Sequence, residues 1–220
     1  MNKTTTHDGY TRLQYHRIAV DRQTAPGGKR RWYKISFNGG KGGDAIADMN
    51  KGRASATVLT WAILAAIYNE YDFDIASLRV GDNDHTIASS AEVIITIASG
   101  EPASFVKSQQ DSMNQWLREE YGPNDPDVCC TIEKCEKQDT IINPPALEAL
   151  MECLEQTPQG IIEKSQTATV SNNVGRINTE DGHILVSTYT YSTDKEGMER
   201  ASQEIHQTFA SFGATTSEVE

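Results

Sequence analysis

The chain has 220 residues, with 20 Lys and Arg against 31 Asp and Glu, so its formal net charge is −11. Because phosphate groups are bound mainly by Lys and Arg, this charge argues against a nucleic acid or an anionic membrane surface as partner. No apolar run reaches the roughly 18 residues of a membrane-spanning helix. Residues 1–9 are polar and are interpreted as a disordered leader without a signal peptide, which predicts a cytoplasmic protein.

Strand and helix patterns alternate in the first part of the chain. Apolar alternation predicts a strand over Leu13–Gln23, and a Pro-Gly-Gly turn separates it from a second strand over Arg31–Asn38. A glycine-rich turn and an apolar helix over Lys51–Tyr68 follow. The next predicted elements are strands over Asp72–Val80 and Glu92–Ser99, a helix over Ala103–Tyr121 and a strand over Val128–Lys137. Residues 31–137 therefore have the order βαββαβ of a ferredoxin-like unit.

The second part of the chain has a similar order but lacks its first strand. Asn143 and two prolines open a predicted helix over Pro144–Gln156. A hairpin over Gln166–Ile177 and His183–Ser192, a helix capped by Thr193 or Asp194, and an edge strand over Ala214–Glu220 follow. The unpaired strand near the N-terminus completes this half.

These patterns predict an α+β fold with two ferredoxin-like βαββαβ units, each an antiparallel sheet with helices on one face. The outer unit would consist of residues 10–24 plus 138–220. The other unit, residues 31–137, would be inserted into it.

The glycine-rich stretch Lys34–Gly52 is the first candidate for a functional site. Four glycines and Asp44 lie between a strand and a helix, where backbone N–H groups converge. The stretch matches neither common phosphate-binding pattern, and Asp44 would lie where an anion would bind. A tight turn that lets two backbone segments approach is the alternative to a site.

The other ionisable groups form no recognisable catalytic motif. Acidic pairs occur at 44/48, 72/74 and 82/84, but the pattern of a calcium loop is incomplete, which favours solvated turns. The histidines are scattered and form no metal-binding motif. His85, in a loop between two strands, is the most interesting of them, with a plain surface histidine as the alternative.

The cysteines also lack a metal-binding or redox pattern. They form no C-x-x-C pair and have no histidine at ligand spacing; they are Cys129, Cys130, Cys135 and Cys153. We interpret them as reduced thiols that pack as small hydrophobic side chains, with a metal or redox role as the alternative.

Four motifs follow one another along the chain: Leu13–Arg22, Phe37–Gly43, Thr157–Ile162 and Ser171–Gly175. This ordered series, over residues 10–216, resembles the lid, or dimerisation, domain of the aminoacyl-histidine dipeptidases, which are two-metal peptidases. It implies a separate catalytic domain whose two metal ions activate a water molecule, and a lid that dimerises and closes over the substrate. It also implies that zinc, the metal ligands and the catalytic glutamate belong to that other domain, so that no cofactor is expected in this chain.

The resemblance points to three substrate-handling positions, and each carries a different residue here. Asp44 replaces a histidine that helps to hold the oxyanion of the reacting peptide, and a carboxylate there would repel developing negative charge. His85 replaces an asparagine that contacts the substrate. Thr190 lies near the position of an arginine that binds the substrate carboxylate, and it has no charge to offer.

Three hypotheses follow from the sequence. The first is a lid-type module that is not catalytic by itself and acts by forming a homodimer or by docking on a catalytic domain, through the helix at 51–70 or an edge strand. The second is part of a metal-dependent dipeptidase that hydrolyses Xaa-His dipeptides and whose catalytic domain is absent from this chain. The third is a small-ligand binding domain with a cleft near Asp44 and His85.

Overall fold

A computed structural model describes residues 8–98, 104–165 and 169–219 of the chain. The helices within these residues are α1 (Ala56–Tyr68), α2 (Phe105–Glu120), α3 (Pro144–Gln156) and α4 (Lys195–Ser211). The strands are β1 (Tyr10–Ala19), β2 (Arg22–Thr24), β3 (Arg30–Asn38), β4 (Gly43–Asp44), β5 (Phe73–Val80), β6 (Thr86–Ile87), β7 (Ala91–Ala98), β8 (Cys129–Lys134), β9 (Thr140–Ile142), β10 (Gly160–Lys164), β11 (Thr169–Glu180), β12 (His183–Ser192) and β13 (Thr215–Val219). Most of the predicted leader, and the predicted element ends at 99, 103, 166 and 220, lie outside the described residues.

One large antiparallel sheet organises the molecule, in the order β13-β1-β12-β11-β5-β7-β3-β8, with β10 paired to the side of β11. Each half of this order is that of a ferredoxin-like βαββαβ unit, and the helices pack on one face. The predicted fold class is therefore confirmed. The exact domain boundaries stay a prediction.

The two halves are joined edge to edge, which the sequence patterns did not predict. β5 and β11 pair antiparallel at Ile177–Val80 and Asn178–Arg79, so the sheets of the two units are continuous. A bulge in β11 between Val174 and Arg176 separates the part that pairs with β10 from the part that reaches β5.

The core lies between this sheet and the helices. In β7, Val93, Ile95 and Ile97 alternate toward the helices and are at most 2% exposed. From α1, Leu59 and Ile63 are among the side chains packed against them. Burying one such side chain fully stabilises the fold by about 1.5–3 kcal/mol.

The predicted helix over Lys51–Tyr68 begins only at Ala56. Helix-like turns do precede it, since the Asp48 N–H donates to the Asp44 carbonyl and the Lys51 N–H to the Asp48 carbonyl. Gly52 then has a φ of +63°, which cannot continue a right-handed helix. The glycine-rich turn therefore leads into a loop, and not directly into a helix N-terminus.

The predicted strand over Leu13–Gln23 is divided into β1 and β2. After β1 the Val20 N–H bonds to the Gly182 carbonyl, and β2 leaves the main sheet to pair with β9. Beside this ribbon a small apolar cluster forms from Ala25, Trp32, Ala76 and Ile141. None of the helices in the described part of the chain is long and apolar enough to cross a membrane.

Candidate functional site

The glycine-rich loop between β3 and α1 is held in place by a buried carboxylate, that of Asp125. Its two oxygens accept the backbone N–H of Lys41 at 3.0 and 3.2 Å, and one of them accepts the N–H of Ala54 at 3.1 Å. Asp125 is fully buried. Lys41 also donates through its Nζ to the carbonyl of Asn124. The loop after α2 therefore fixes both ends of the glycine-rich loop.

Two glycines of the loop are required by their surroundings. Gly39 has a φ of +78°, and a Cβ there would collide with the backbone of Asp127. Gly43 has a φ of +123°, and a Cβ there would collide with the side chains of Arg53 and Asp48. At Gly39 two backbone segments approach closely, as a tight turn would require, whereas at Gly43 the space is taken by charged side chains.

Asp44 and His85 are brought to the same place. β4 pairs with β6, so that Asp44 lies opposite Thr86, and the Ala45 N–H donates to the His85 carbonyl at 3.0 Å. Two positions that are far apart in the sequence thus share one small ribbon beside the main sheet.

The carboxylate of Asp44 is used by its own turn. Its Oδ1 accepts the N–H groups of Ile46 and Ala47, both at 2.8 Å, in the manner of a helix cap. The four-residue spacing of Asp44 and Asp48 allows a direct contact between them, in which the Asp44 N–H donates to Asp48 Oδ2 at 3.0 Å.

Asp48 is the centre of a small charged network. It pairs with Lys51 at 2.6 Å and with Arg53 at 2.9 Å. The hydrogen bond from Lys51, supported by the Asp44 N–H and by the charges of both cations, lowers the pKa of Asp48 although partial burial opposes this. The network connects the turn at 44–48 to the residues just before α1.

His85 is exposed. Its ring meets the ring of Tyr189 edge-on, with centroids 4.6 Å apart and an interplanar angle of 89°. Its backbone N–H donates to Asn83 Oδ1 at 2.8 Å. The imidazole is thus presented at the surface on a fixed loop.

Thr190 does not join the other two positions. It is fully buried, and its hydroxyl donates to Asn172 Oδ1 at 3.3 Å. It lies opposite Arg12, whose guanidinium donates to Ser202 of α4, so this row faces the helices. Tyr189, the neighbour of Thr190, points to the opposite face and contacts His85.

A polar cluster that the sequence patterns did not predict fixes the loop that carries His85. Asp84 accepts the hydroxyl of Tyr15 at 2.7 Å and pairs with Arg176 Nε at 2.6 Å. Burial raises the pKa of Asp84, but the hydrogen bonds from Tyr15 and Arg176 outweigh burial and lower it below its usual value. The partners are 69 and 92 residues from Asp84 in the sequence, so no local pattern could reveal them.

A metal centre is not formed by the described residues, among which no group of three or more His, Cys, Asp or Glu side chains could hold an ion. The cysteines are free thiols, of which Cys130 and Cys153 are buried. Beside the turn at Asp44 lies a cavity of about 110 Å³, lined by Ile46, Met49 and Tyr191 among others. Sites for small molecules have volumes of about 300–1,000 Å³, so this cavity is too small for most of them.

Comparison with solved structures identifies the fold. The chain is similar to the aminoacylhistidine dipeptidase from Vibrio alginolyticus, with a TM-score of 0.88 and 20% sequence identity over 97% of this chain and 44% of that chain. The likeness shows a shared fold. This chain therefore spans less than half of the length of the dipeptidase that it matches.

Other comparisons are much weaker. A putative aminohydrolase from methicillin-resistant Staphylococcus aureus matches with a TM-score of 0.36 and 16% identity, over 66% of this chain and 39% of that chain. A similarity at this level supports no argument. No protein-family model matches the chain, and no curated protein matches it significantly.

Proposed function

We propose that the chain is a lid-type module of a dipeptidase-like system, that it is not catalytic by itself, and that it acts by dimerising or by docking on a catalytic domain. The observation that carries this proposal is the whole-chain likeness to 44% of an aminoacylhistidine dipeptidase. A module that corresponds to a minor part of an enzyme is expected to serve the remaining part.

The geometry at Asp44 supports a role without catalysis. The carboxylate of Asp44 accepts the N–H groups of Ile46 and Ala47 within its own turn. A carboxylate repels an oxyanion, whereas catalysis of peptide hydrolysis requires hydrogen-bond donors there. Thr190 is buried on the face of the sheet opposite to the one that Tyr189 and His85 share, and it offers no charge for a substrate carboxylate.

One observation favours the second hypothesis, a contribution to a metal-dependent dipeptidase whose catalytic domain lies elsewhere. His85 is exposed and belongs to the segment that bonds to Ala45, next to Asp44. Its imidazole N–H can donate a hydrogen bond, whereas the carboxylate of Asp44 can only accept one. On this reading the lid would contribute through His85, and zinc would be bound by the separate catalytic domain.

Hydrolysis of Xaa-His dipeptides in the presence of zinc tests both readings. The purified chain is assayed alone and after mixing with the catalytic domain of an aminoacylhistidine dipeptidase. We expect no turnover by the chain alone. Zinc-dependent hydrolysis by the chain alone that disappears in Asp44→Ala would overturn the proposal.

The mixture separates the first reading from the second. If the chain is only a scaffold, His85→Ala should stimulate the catalytic domain as well as the unmodified chain does. A loss of activity in His85→Ala, but not in the exposed control His206→Ala, would favour the second reading. Light scattering completes the test, because a strict monomer that also fails to bind the catalytic domain would refute both dimerisation and docking.

A further inference from the structure

Helix α1 has an outer face that the fold covers only in part. The helix contains no charged residue, and its inner side chains, such as Leu59 and Ile63, are fully buried. Trp61, Ala65 and Tyr68 lie at spacings of four and three residues on another face, and Tyr68 is 69% exposed. An apolar helix face that is partly open to solvent is a candidate place for another molecule to bind.

This face forms one wall of a cavity between α1 and α3. The cavity has a volume of about 410 Å³, which lies in the range of small-molecule sites. Its apolar surface includes Trp61, Tyr68, Phe73, Leu147 and Met151. The rings of Tyr68 and Phe73 meet edge-on at 86°, with centroids 6.4 Å apart, and form an aromatic corner.

The polar lining of the cavity is acidic. Glu148, Glu152 and Glu155 follow one another on α3 at spacings of four and three residues, and all three are exposed. Among the described residues, none of them forms an ion pair, and Glu152 accepts a single hydrogen bond, from Gln156. Asp74 differs, because its charge is neutralised by Arg30 at 2.5 Å.

No basic side chain balances these carboxylates within the cavity, since no Lys, Arg or His of the described residues lines it. Apolar walls, aromatic faces and unpaired carboxylates together are the features that bind an organic cation. The aromatic faces attract the positive charge, and the carboxylates add a longer-range attraction.

A second cavity of about 160 Å³ adjoins the first and shares Trp61 and Glu155 with it. Its lining includes Thr157, which is 5% exposed. The hydroxyl of Thr157 has no hydrogen-bond partner among the described residues. Buried polar groups usually have a hydrogen-bond partner, so the hydroxyl of Thr157 indicates a place where a ligand could supply that partner.

We propose that the groove between α1 and α3 is a binding site for a small amphipathic organic cation. The apolar body of the ligand lies against Leu147 and Met151, and its ammonium group lies between the aromatic faces and the carboxylates of α3. A polar group at the far end of the ligand would bond to Thr157. A second copy of this chain is a poorer occupant, because two such faces would bring Glu148, Glu152 and Glu155 of each copy together.

Calorimetric titration with three probes of similar size tests the site. The probes are benzyltrimethylammonium, neutral benzyl alcohol and anionic phenylacetate. We expect the cation to bind about tenfold more tightly than the neutral probe, and the anion not to bind. Trp61→Leu and the double variant Glu152→Gln/Glu155→Gln should each weaken binding of the cation by about tenfold. Glu204→Gln, an exposed change on α4, is the matched control and should bind as the unmodified chain does.

Three results would overturn the proposal. The first is equal binding of all three probes, which would show only apolar partitioning. The second is unchanged binding of the cation in both groove variants, with folding confirmed by circular dichroism. The third is a dimer in light scattering that binds no probe and that Trp61→Leu dissociates, because a second copy would then occupy the groove.

Discussion

Removing the carboxylate of Asp125 should loosen the glycine-rich loop and destabilise the whole protein. Asp125 accepts two backbone N–H groups, from Lys41 and Ala54, and these fix the two ends of the loop. Ala54 is 1% exposed, so its N–H would lose its partner without access to water. The N–H of Lys41 belongs to an exposed residue and can be hydrated.

The magnitude of this effect follows from these two contacts. A buried donor left without an acceptor costs about 1–3 kcal/mol, and a hydrogen bond to a charged group contributes about 1.5–3 kcal/mol. Asp125→Ala should therefore lower the free energy of unfolding by about 2–4 kcal/mol. Asp125→Asn keeps one acceptor oxygen of similar position, so its loss should be roughly half as large.

Urea unfolding followed by circular dichroism gives the free energies, and hydrogen exchange at the amides of Lys41 and Ala54 reports the loop itself. Asp127→Ala is the matched control, because Asp127 is exposed and lies two residues away. If Asp125→Ala is no less stable than Asp127→Ala, and both amides stay protected, the carboxylate does not anchor the loop and the reasoning is refuted.

Three further predictions test other parts of the structure. Burial lowers the pKa of His16 to about 3, so between pH 7 and pH 4 the unfolded state takes up a proton that the folded state does not, and the free energy of unfolding should fall by about 3 kcal/mol. Urea unfolding at pH 7 and pH 4 measures this fall, which should be smaller in His16→Gln. Gly43→Ala should lower the free energy of unfolding by about 2–3 kcal/mol, because Gly43 has a positive φ and a Cβ there would collide with Arg53. Thermal unfolding should show a larger loss of stability than for Gly182→Ala, since Gly182 has a positive φ but open space around it. Burial raises the pKa of the Cys130 and Cys153 thiols to about 12, so a disulfide reagent at pH 8 should label Cys130 and Cys153 only after unfolding, whereas exposed Cys129 should be labelled quickly. Rapid labelling of all the thiols in the folded protein would contradict this.

The sequence predicted the elements whose causes are local. The nearly continuous β-branched run over Val93–Ile97 is sufficient to indicate a strand inside the sheet, and β7 does lie between β5 and β3. Helix α3 has the predicted bounds because two prolines at its start fix the backbone and remove N–H groups that would have no partner. Asn143 precedes the helix as predicted, but its side chain makes no cap bond and instead accepts the N–H of Asp21.

The features that local patterns could not predict depend on distant partners. The pairing of β5 with β11 joins two sheet edges, and nothing in either strand specifies the other. Asp125 belongs to a Gly- and Pro-containing segment that signals only the end of α2, although it anchors the loop at Lys41. The late start of α1 has a similar cause, because the residues just before and at its start bond to distant partners: the Ala54 N–H donates to Asp125 and the Ala56 N–H to the Ala88 carbonyl.

The edge-to-edge junction also explains why the candidate site requires the whole chain. Asp84 lies next to His85 on the loop after β5, but it is held by Tyr15 of β1 and Arg176 of β11, which belong to the other half of the sheet. Gly81 and Gly175 allow the backbones of the two halves to approach there, since a Cβ at Gly81 would collide with the carbonyl of Gly175. The loop that carries His85 is therefore fixed only when both halves are folded and joined. In the proposed lid, Asp44 and His85 would therefore approach a catalytic domain together, because β4 and β6 hold their backbones side by side.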